Sequence, residues 1–429
     1  MKLFRFVPFT FLISSYLLFL VTCLNVPSLR IGQTSVLVGT KLYFFGGYLM
    51  TTKNTPIAIN EVWYLDLSNS SLFNTVIPTW YKDVEMPVGI FDISCVSSFN
   101  NSDIFVFGGR QYLPNSWTIS FNSSVYRFDP NNNSIWSIPN ITSFNSTFKT
   151  RSSIQAVIDK TRVFIFGGTS NKANSSDNSS RIYYNDMNIL DITNMSWSTL
   201  VIPQSPPYFA YTATLLPTGL IVYISGLDYL SGVSPVNMSE IRTFNTTSLI
   251  WSNITVNGSS IESRWGHSAV LGQNGDIIIY GGSKYSVDQN TQALPNLAVL
   301  NTNSWTWSIP DIPPINTPKP LSHHSAALYK NYMIVAFGFI ASTRGLFNKD
   351  VYVLDTQKYV WIAVNNTATT TKGSSTSQKS QTNKAQETSN SSSNKVPFIG
   401  IGVVSGIVLI GIISFVIFLL FKKRHKSYN

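Results

Sequence analysis

Short apolar runs that end in glycine recur through the body of this chain of 429 residues. They read KLYFFGG, DIFVFGG, RVFIFGG, LIVYISG, DIIIYGG and YMIVAFG, at intervals of roughly 60 residues. Their glycines are Gly46, Gly47, Gly108, Gly109, Gly167, Gly168, Gly226, Gly281, Gly282 and Gly338. Continuous apolarity over such short runs is typical of strands buried on both faces. The sequence therefore predicts a repeated all-β unit.

Each unit continues through a polar loop into a second strand, such as VWYLDL or VYVLDT, and closes on an aromatic strand. Five closing strands carry tryptophan, at Trp136, Trp197, Trp251, Trp307 and Trp361. The first unit departs from this pattern, because Leu72 and Phe73 stand where tryptophan is expected. Tryptophan on an outer strand supplies a large apolar surface for packing between neighbouring sheets.

The glycine pair after the second strand and the spaced aromatic residues resemble the kelch repeat over about residues 33–364. The resemblance implies an all-β, six-bladed kelch-type β-propeller in which each repeat forms one four-stranded blade. Glycine has no Cβ, so the pair is expected to adopt positive φ and to permit close backbone approach. How the ring closes stays open, with residues 25–31 as one candidate for a closing strand.

The two ends of the chain predict a membrane protein. Residues 1–24 have the basic start and apolar run of a secretory signal peptide, the alternative being an uncleaved anchor. Residues 396–421 are uncharged and long enough for a transmembrane helix, and the basic tail 422–429 places the rest of the chain outside. The polar segment 365–395 is predicted to be a disordered Ser/Thr/Asn-rich stalk. The predicted product is a type I protein with residues 25–364 as its propeller ectodomain.

The formal charge of +10 is concentrated at these two ends, which leaves the body nearly neutral. Without a basic stripe, nucleic acid is an unexpected partner. Only Cys23 and Cys95 are present, and Cys23 belongs to the leader, so no disulfide within the mature chain is expected. Cys95 lies in an apolar strand and is predicted to be a buried, unreactive thiol.

Acceptor sequons for N-glycosylation are dense. They begin at Asn69, Asn100, Asn122, Asn132, Asn140, Asn145, Asn174, Asn178, Asn194, Asn237, Asn245, Asn253, Asn257, Asn365 and Asn390. Blades five, six and one carry long loops without sequons on the predicted long-loop face, where loops such as 111–124 and 169–181 also emerge. One hypothesis places a partner-contact patch in this sector, at Trp265, Lys284, Tyr285, Arg344 and Phe347.

The same sector holds Tyr48, Arg264, His267, His323 and His324, and it has a second interpretation. The sector could lie near the membrane, with RWGHSA and LSHHSA as strand-entry sequences that make His267 and His324 structural.

Galactose oxidase, a copper enzyme on a kelch propeller, supplies the enzymatic alternative. Its chemistry needs two histidine ligands, an axial tyrosine and a cysteine-linked tyrosine. Outside the tail only His267, His323 and His324 are present, and adjacent histidines in a strand point to opposite faces. Hydrolase and phosphate-loop motifs are absent from the sequence. We therefore expect no enzyme, no metal and no cofactor.

The preferred function is binding of an extracellular protein or glycan through the long loops, at the plasma membrane or another membrane of the secretory pathway. Within kelch ectodomains the nearest analogy is the propeller of attractin-like surface proteins. The alternative is a structural, glycosylated component of the cell surface or cell wall.

Overall fold

A computed structural model of the chain describes residues 26–51, 55–68, 79–171, 181–201, 206–230, 232–285, 291–341 and 346–363. These residues form β-strands, connecting loops and one short 3₁₀ turn at Ser146–Phe148. The predicted leader, stalk, apolar span and tail lie outside the described residues, as do Leu72 and Phe73. Within the described part of the chain, no helix has the length and apolarity needed to cross a membrane.

Six blades follow one another along the described chain, each with four antiparallel strands from one stretch of sequence; blade 5 carries a fifth, parallel strand. Blade 1 and its loop hairpin comprise β1 (Thr34–Val38), β2 (Lys41–Phe45), β3 (Tyr48–Met50), β4 (Pro56–Ala58), β5 (Val62–Asp66) and β6 (Trp80–Lys82), of which β3 and β4 form the hairpin. Blade 2 comprises β7 (Gly89–Ser97), β8 (Ile104–Tyr112), β9 (Val125–Asp129) and β10 (Ile135–Ser137). Blade 3 and its hairpin β13–β14 comprise β11 (Ala156–Asp159), β12 (Arg162–Phe166), β13 (Thr169–Asn171), β14 (Arg181–Tyr183), β15 (Asp186–Asp191) and β16 (Ser196–Val201).

The second half of the chain repeats this plan. Blade 4 and its small sheet β17–β20–β21 comprise β17 (Tyr208–Phe209), β18 (Thr212–Leu215), β19 (Leu220–Ile224), β20 (Leu227–Tyr229), β21 (Val233–Pro235), β22 (Glu240–Asn245) and β23 (Trp251–Thr255). Blade 5 comprises β24 (Asn257–Gly258), β25 (Ser268–Leu271), β26 (Ile277–Tyr280), β27 (Leu297–Asn301) and β28 (Thr306–Ser308), with β24 added parallel to β28. Blade 6 and its pair β29–β32 comprise β29 (Leu321–Ser322), β30 (Ser325–Tyr329), β31 (Tyr332–Ala336), β32 (Phe339–Ile340), β33 (Val351–Asp355) and β34 (Val360–Ile362).

The blades close into a ring, because the innermost strands β1, β7, β11, β18, β25 and β30 contact one another in turn and β30 contacts β1. Blade 6 supplies all four of its own strands. The described part of the candidate segment, residues 26–31, therefore does not provide a closing strand: Ile31 forms a bridge with Tyr48 of blade 1, and Arg30 O accepts a hydrogen bond from Gly338 N at 3.1 Å.

A backbone hydrogen bond joins each blade to the next at the end of its second strand. The residue that ends the apolar run donates its N–H to a carbonyl at the entry of the following blade, at 2.6 to 3.1 Å. The six joints are Gly47 to Ile90, Gly109 to Arg151, Gly168 to Tyr208, Gly226 to Arg264, Gly282 to Leu321 and Gly338 to Arg30. The described chain thus carries the same joint at every blade interface.

The joint explains the glycine pair. The first glycine has a positive φ, +58° at Gly167, and a Cβ there would collide with the carbonyl oxygen of Tyr208. In blades 4 and 6 the first position is Ser225 or Phe337, and both also have positive φ. The predicted positive φ and close backbone approach at these glycines are confirmed.

The tryptophans of the outermost strands pack against the neighbouring apolar strand. Trp197, for example, pairs with Leu190 and is buried in a cluster that includes Phe107 of blade 2. The prediction that blade 1 lacks this residue was wrong, because Trp80 pairs with Leu65 in the same register. It packs edge-on against Phe44 at 5.2 Å.

Replacing Gly167 by alanine tests the joint. We expect G167A to lower the free energy of unfolding by about 3 kcal/mol or more, because strain at positive φ adds to the collision with Tyr208. Gly39 is the matched control: its φ is +59°, but nothing lies within 4 Å of its Cβ position. G39A should cost only about 1 kcal/mol. Urea unfolding of the full-length protein measures both, and equal losses would contradict the role of the joint.

Candidate functional site

A well of about 730 Å³ opens where the blade entries and the long loops meet. Residues from all six blades line it. The well follows from the up-and-down course of the strands, because loops after the second strand and loops between blades emerge on the same face. Loops held on a rigid scaffold are a common place for binding sites.

Six residues with left-handed backbone conformation surround the well, one at the entry of each blade, and we call them the throat ring. They are Gly32, Asp92, Ser153, Ala210, Gly266 and His323. Backbone hydrogen bonds join several of them from blade to blade: Asp92 N to Gly32 O at 2.8 Å, Ala210 N to Ser153 O at 2.9 Å and His323 N to Gly266 O at 2.7 Å. Non-glycine residues in this conformation are strained, and such strain is frequent at functional sites.

Just beyond the throat ring, a polar belt of hydrogen bonds crosses every interface between inner strands. It consists of Thr34 Oγ1 with Cys95 Sγ at 3.3 Å, Ala156 N to Ser94 Oγ at 2.8 Å, Ala213 N to Gln155 Oε1 at 2.9 Å, Thr212 Oγ1 with His267 Nε2 at 3.0 Å, Ser268 Oγ with His324 Nε2 at 2.8 Å, and Gln33 Nε2 to Ser325 Oγ at 3.3 Å. The interpretation of His267 and His324 as structural residues agrees with this geometry.

Burial disfavours protonation of His267 and His324, which we call the belt histidines. It lowers the pKa of His267 well below its ordinary value and that of His324 to about 3, and nearby Arg264 and His323 add to the effect. In the described part of the chain the Nδ1 atom of His267 is buried without a hydrogen-bond partner. Both imidazoles are therefore neutral at neutral pH.

Aromatic side chains form the wall of the well. In blade 2, Phe91, Tyr112 and Trp117 stack on one another, with ring centres of Tyr112 and Trp117 at 4.6 Å, and Tyr48 of blade 1 packs against them at a tilt. Trp117 keeps 43% of its surface exposed. Two further groups surround Tyr183 of blade 3, which stacks on Tyr229 at 4.2 Å, and Trp265 of blade 5, which meets His323 edge-on at 4.7 Å.

Three cations and one acid are the charged groups of the described lining. Arg110 and Arg181 lie on blades 2 and 3, and burial followed by the charge of Arg110 lowers the pKa of Arg181. Lys284 of blade 5 is paired with Glu262 at 2.7 Å. Asp92 Oδ2 lies 3.7 Å from Arg110 Nε. The two guanidinium groups give this side of the well a positive character.

The structure brings part of the predicted contact patch to this well. Trp265, Lys284 and Tyr285 line it. Phe347 is half-buried outside the described lining and forms a bridge with Phe339, whereas Arg344 lies outside the described residues.

The structure also places three neighbouring residues of this sector. Arg264 is fully buried, and its guanidinium donates to Gly281 O at 2.9 Å, so it is no surface contact. His323 and His324 do not point to opposite faces of a strand: the left-handed turn at His323 precedes β30, and both residues line the well.

Sequence reasoning missed the contribution of blades 2 and 3: Asp92, Arg110, Trp117 and Arg181. The predicted patch left out blades 2 and 3 because both blades carry sequons. A usable signal existed, because each repeat places lining residues at the entry of its first strand or just after its glycine pair.

The sequon asparagines within the described residues differ in accessibility. Most are exposed: Asn100, Asn122, Asn132, Asn140, Asn194, Asn237, Asn253 and Asn257. Asn245 is half-buried, and so is Asn145, whose Nδ2 donates to Asn188 Oδ1 at 3.1 Å and Thr199 Oγ1 at 3.2 Å. Asn69, Asn174, Asn178, Asn365 and Asn390 lie outside the described residues. Cys95 is buried and free as predicted, and burial raises the pKa of its thiol to about 12.

Fold and site define a β-propeller with a ligand-sized well on its long-loop face. The chain belongs to the kelch-repeat family: the KLHDC2/KLHL20/DRC7 Kelch-repeats domain matches residues 32–282 and 229–385.

Curated relatives agree with this family. Acyl-CoA-binding domain-containing protein 4 of Arabidopsis thaliana is 26% identical over 215 residues, which cover 48% of this chain and 29% of that protein. Kelch domain-containing protein 3 of Rattus norvegicus is 23% identical over 292 residues, 65% of this chain and 69% of that protein. Host cell factor of Drosophila melanogaster is 24% identical over 221 residues, 46% of this chain and 14% of that protein. The match thus covers well under half of two of these three relatives.

The belt histidines predict loss of stability in acid. The folded-state pKa of His324 is about 3, against an ordinary 6.5, so the unfolded chain takes up the proton first as the pH falls below about 6.5. His324 should therefore cost about 2 kcal/mol of unfolding free energy between about pH 7 and pH 5, and His267 should act in the same direction. Gln33 occupies the equivalent place in blade 1 and donates to Ser325 there. H324Q should therefore keep the hydrogen bond and lose about 2 kcal/mol less than wild type in urea unfolding at the lower pH. Identical acid losses in both proteins would refute this assignment.

Proposed function

We propose that this protein is a binding module whose well takes up an acidic segment of a partner protein. The observation that carries the proposal is the lining itself, in which aromatic faces from blades 1 to 5 surround two guanidinium groups. Membership of the kelch-repeat family supports a protein as the partner.

The aromatic residues would provide most of the binding energy. Trp and Tyr contribute large apolar areas and lose little side-chain entropy on binding, and together with Arg they are the residues most often found at binding hot spots. Trp117 already stacks on Tyr112 and Phe91, so it presents a pre-ordered surface to a ligand. A pre-ordered site binds more tightly because less freedom is lost.

The guanidinium groups would decide which ligands enter. Arg110 and Arg181 are close enough for the charge of Arg110 to lower the pKa of Arg181. A carboxylate placed between them would relieve this repulsion and accept charge-assisted hydrogen bonds. The segment is therefore expected to carry Asp or Glu beside apolar side chains.

Binding is proposed in preference to catalysis. Of the three histidines in the well, His267 and His324 use their Nε2 atoms in the polar belt, with Thr212 and Ser268 as partners. A copper site like that of galactose oxidase would have to break those bonds between blades. The belt role of these imidazoles thus supports a non-enzymatic propeller.

Phage display of random heptapeptides on the full-length protein tests the binding function. Selected peptides should combine aromatic or aliphatic residues with Asp or Glu, and W117A should weaken them at least about tenfold. F99A is the matched control, because Phe99 is an aromatic residue with 84% exposure that does not line the well. Peptides without acidic residues, or peptides bound equally by W117A, would argue against the proposal.

We further propose that the propeller faces the outside of a secretory-pathway membrane, in single-pass type I topology, and carries N-linked glycans. The sequence of the two ends and the exposure of most sequon asparagines on blades 2 to 4 support this arrangement.

Glycopeptide mass spectrometry of the protein purified from its own cells tests the topology. We expect glycans at exposed sites such as Asn132 and Asn194 and none at Asn145, whose amide nitrogen is engaged by Asn188 and Thr199. Protection of the propeller from protease in sealed vesicles should accompany this pattern. Unmodified asparagine at every exposed sequon would count against an external propeller.

A further inference from the structure

We propose that Asp92, in the throat ring, is a cation-accepting subsite that binds the ammonium group of a lysine on the bound segment. The inference rests on the proposed function, because it places the ligand in the same well. It adds a second requirement for the bound segment. The segment must place a carboxylate near the two arginines and an ammonium group near the throat ring.

The fold does not require a carboxylate at this position. All six throat-ring residues are left-handed, and the other five are Gly32, Ser153, Ala210, Gly266 and His323. The contact of Asp92 with blade 1 uses its backbone N–H, which donates to Gly32 O at 2.8 Å. Any residue that tolerates positive φ, such as glycine or asparagine, could make that bond.

Within the described residues the carboxylate is also not satisfied by the protein. Its nearest cation is Arg110, with Nε 3.7 Å from Oδ2, which is longer than a hydrogen bond. Arg110 in turn lies over the ring of Phe91, 5.7 Å from its centre. The pair is therefore loose, and either partner can turn to a ligand.

The neighbouring residues leave room at this carboxylate. A Cβ on Gly32 would lie 3.1 Å from Asp92 Oδ1, so the glycine keeps the space beside that oxygen open. On the other side of Gly32 in the ring lies His323, and the charge of Asp92 raises the pKa of His323 while burial, the larger effect, lowers it. The net lowering keeps the imidazole neutral at neutral pH, so it does not compete for the carboxylate.

The wall above Asp92 suits the rest of a lysine side chain. Tyr48 and Trp117, whose rings contact each other and are not fully buried, provide aromatic faces for its methylene groups and for the ammonium itself. A ligand that carries both charges would replace the loose pair of Asp92 and Arg110 by two ion pairs. This exchange makes a segment with adjacent acidic and basic residues the best match.

Two small probes separate this inference from the proposed function. Benzylammonium reports on Asp92 and benzoate on the arginines, and saturation-transfer NMR on the full-length protein measures both affinities. We expect D92N, which keeps the shape and tolerates positive φ, to weaken benzylammonium at least about fivefold and to leave benzoate unchanged or tighter. R181Q should weaken benzoate only. K358Q, which removes an exposed lysine outside the well lining, is the control for both.

Each outcome has a defined meaning. Benzylammonium that does not bind wild type, or binds D92N equally well, overturns the subsite whatever benzoate does. Benzoate that does not bind wild type, or that binds R181Q equally well, overturns the role of the arginines and leaves the subsite standing. Should D92N unfold, R110Q decides the matter: removing the competing guanidinium should strengthen benzylammonium binding, and weaker or unchanged binding overturns the proposal.

Discussion

The hydrogen bond from the last residue of each apolar run to the entry carbonyl of the next blade is the constraint on which this structure depends. It is a contact between two backbones, so it recurs with glycine, Ser225 or Phe337 at the position before the donor. At Gly167 and Gly168 it brings the end of one sheet so close to Tyr208 that a side chain at the first position has no space. The ring closes because the sixth copy, between Gly338 and Arg30, has the same geometry as the others.

The joint also explains how a repetitive scaffold forms an asymmetric site. Held between two joints, the entry segment of every blade makes the same left-handed turn, so the fold prescribes the backbone of the throat ring and leaves its side chains open. Gly32 and Gly266 keep space, whereas Asp92 and His323 fill it with polar groups. The backbone of the ring is therefore nearly symmetric, but its side chains are not. One side of the well carries the guanidinium groups and the aromatic stack, and the other side carries the imidazoles.

Most of the fold could be predicted from the sequence, because its determinants are local. Apolar runs, positive-φ glycines and outer tryptophans each occupy a fixed place in the repeat. Trp80 was not predicted because blade 1 has a longer connection between its third and fourth strands. In the sheet, Trp80 pairs with Leu65 just as Trp197 pairs with Leu190. Spacing along the chain could not find it, since register is set by pairing across the sheet. The site was harder to predict for a related reason: Arg110 and Arg181 lie on neighbouring blades and come near each other only when those blades pack together.

The two adjacent histidines of blade 6 show where sequence periodicity fails. The rule that neighbours point to opposite faces holds only while the backbone stays extended. His323 turns left-handed before β30 begins, so it reaches the well at the throat ring while His324 enters the polar belt one residue later. The imidazole of His323 lines the well, and that of His324 joins blade 6 to blade 5. In this propeller the role of a residue therefore follows from its place in the repeat relative to the joint, and neither residue type nor strand parity is sufficient to assign it.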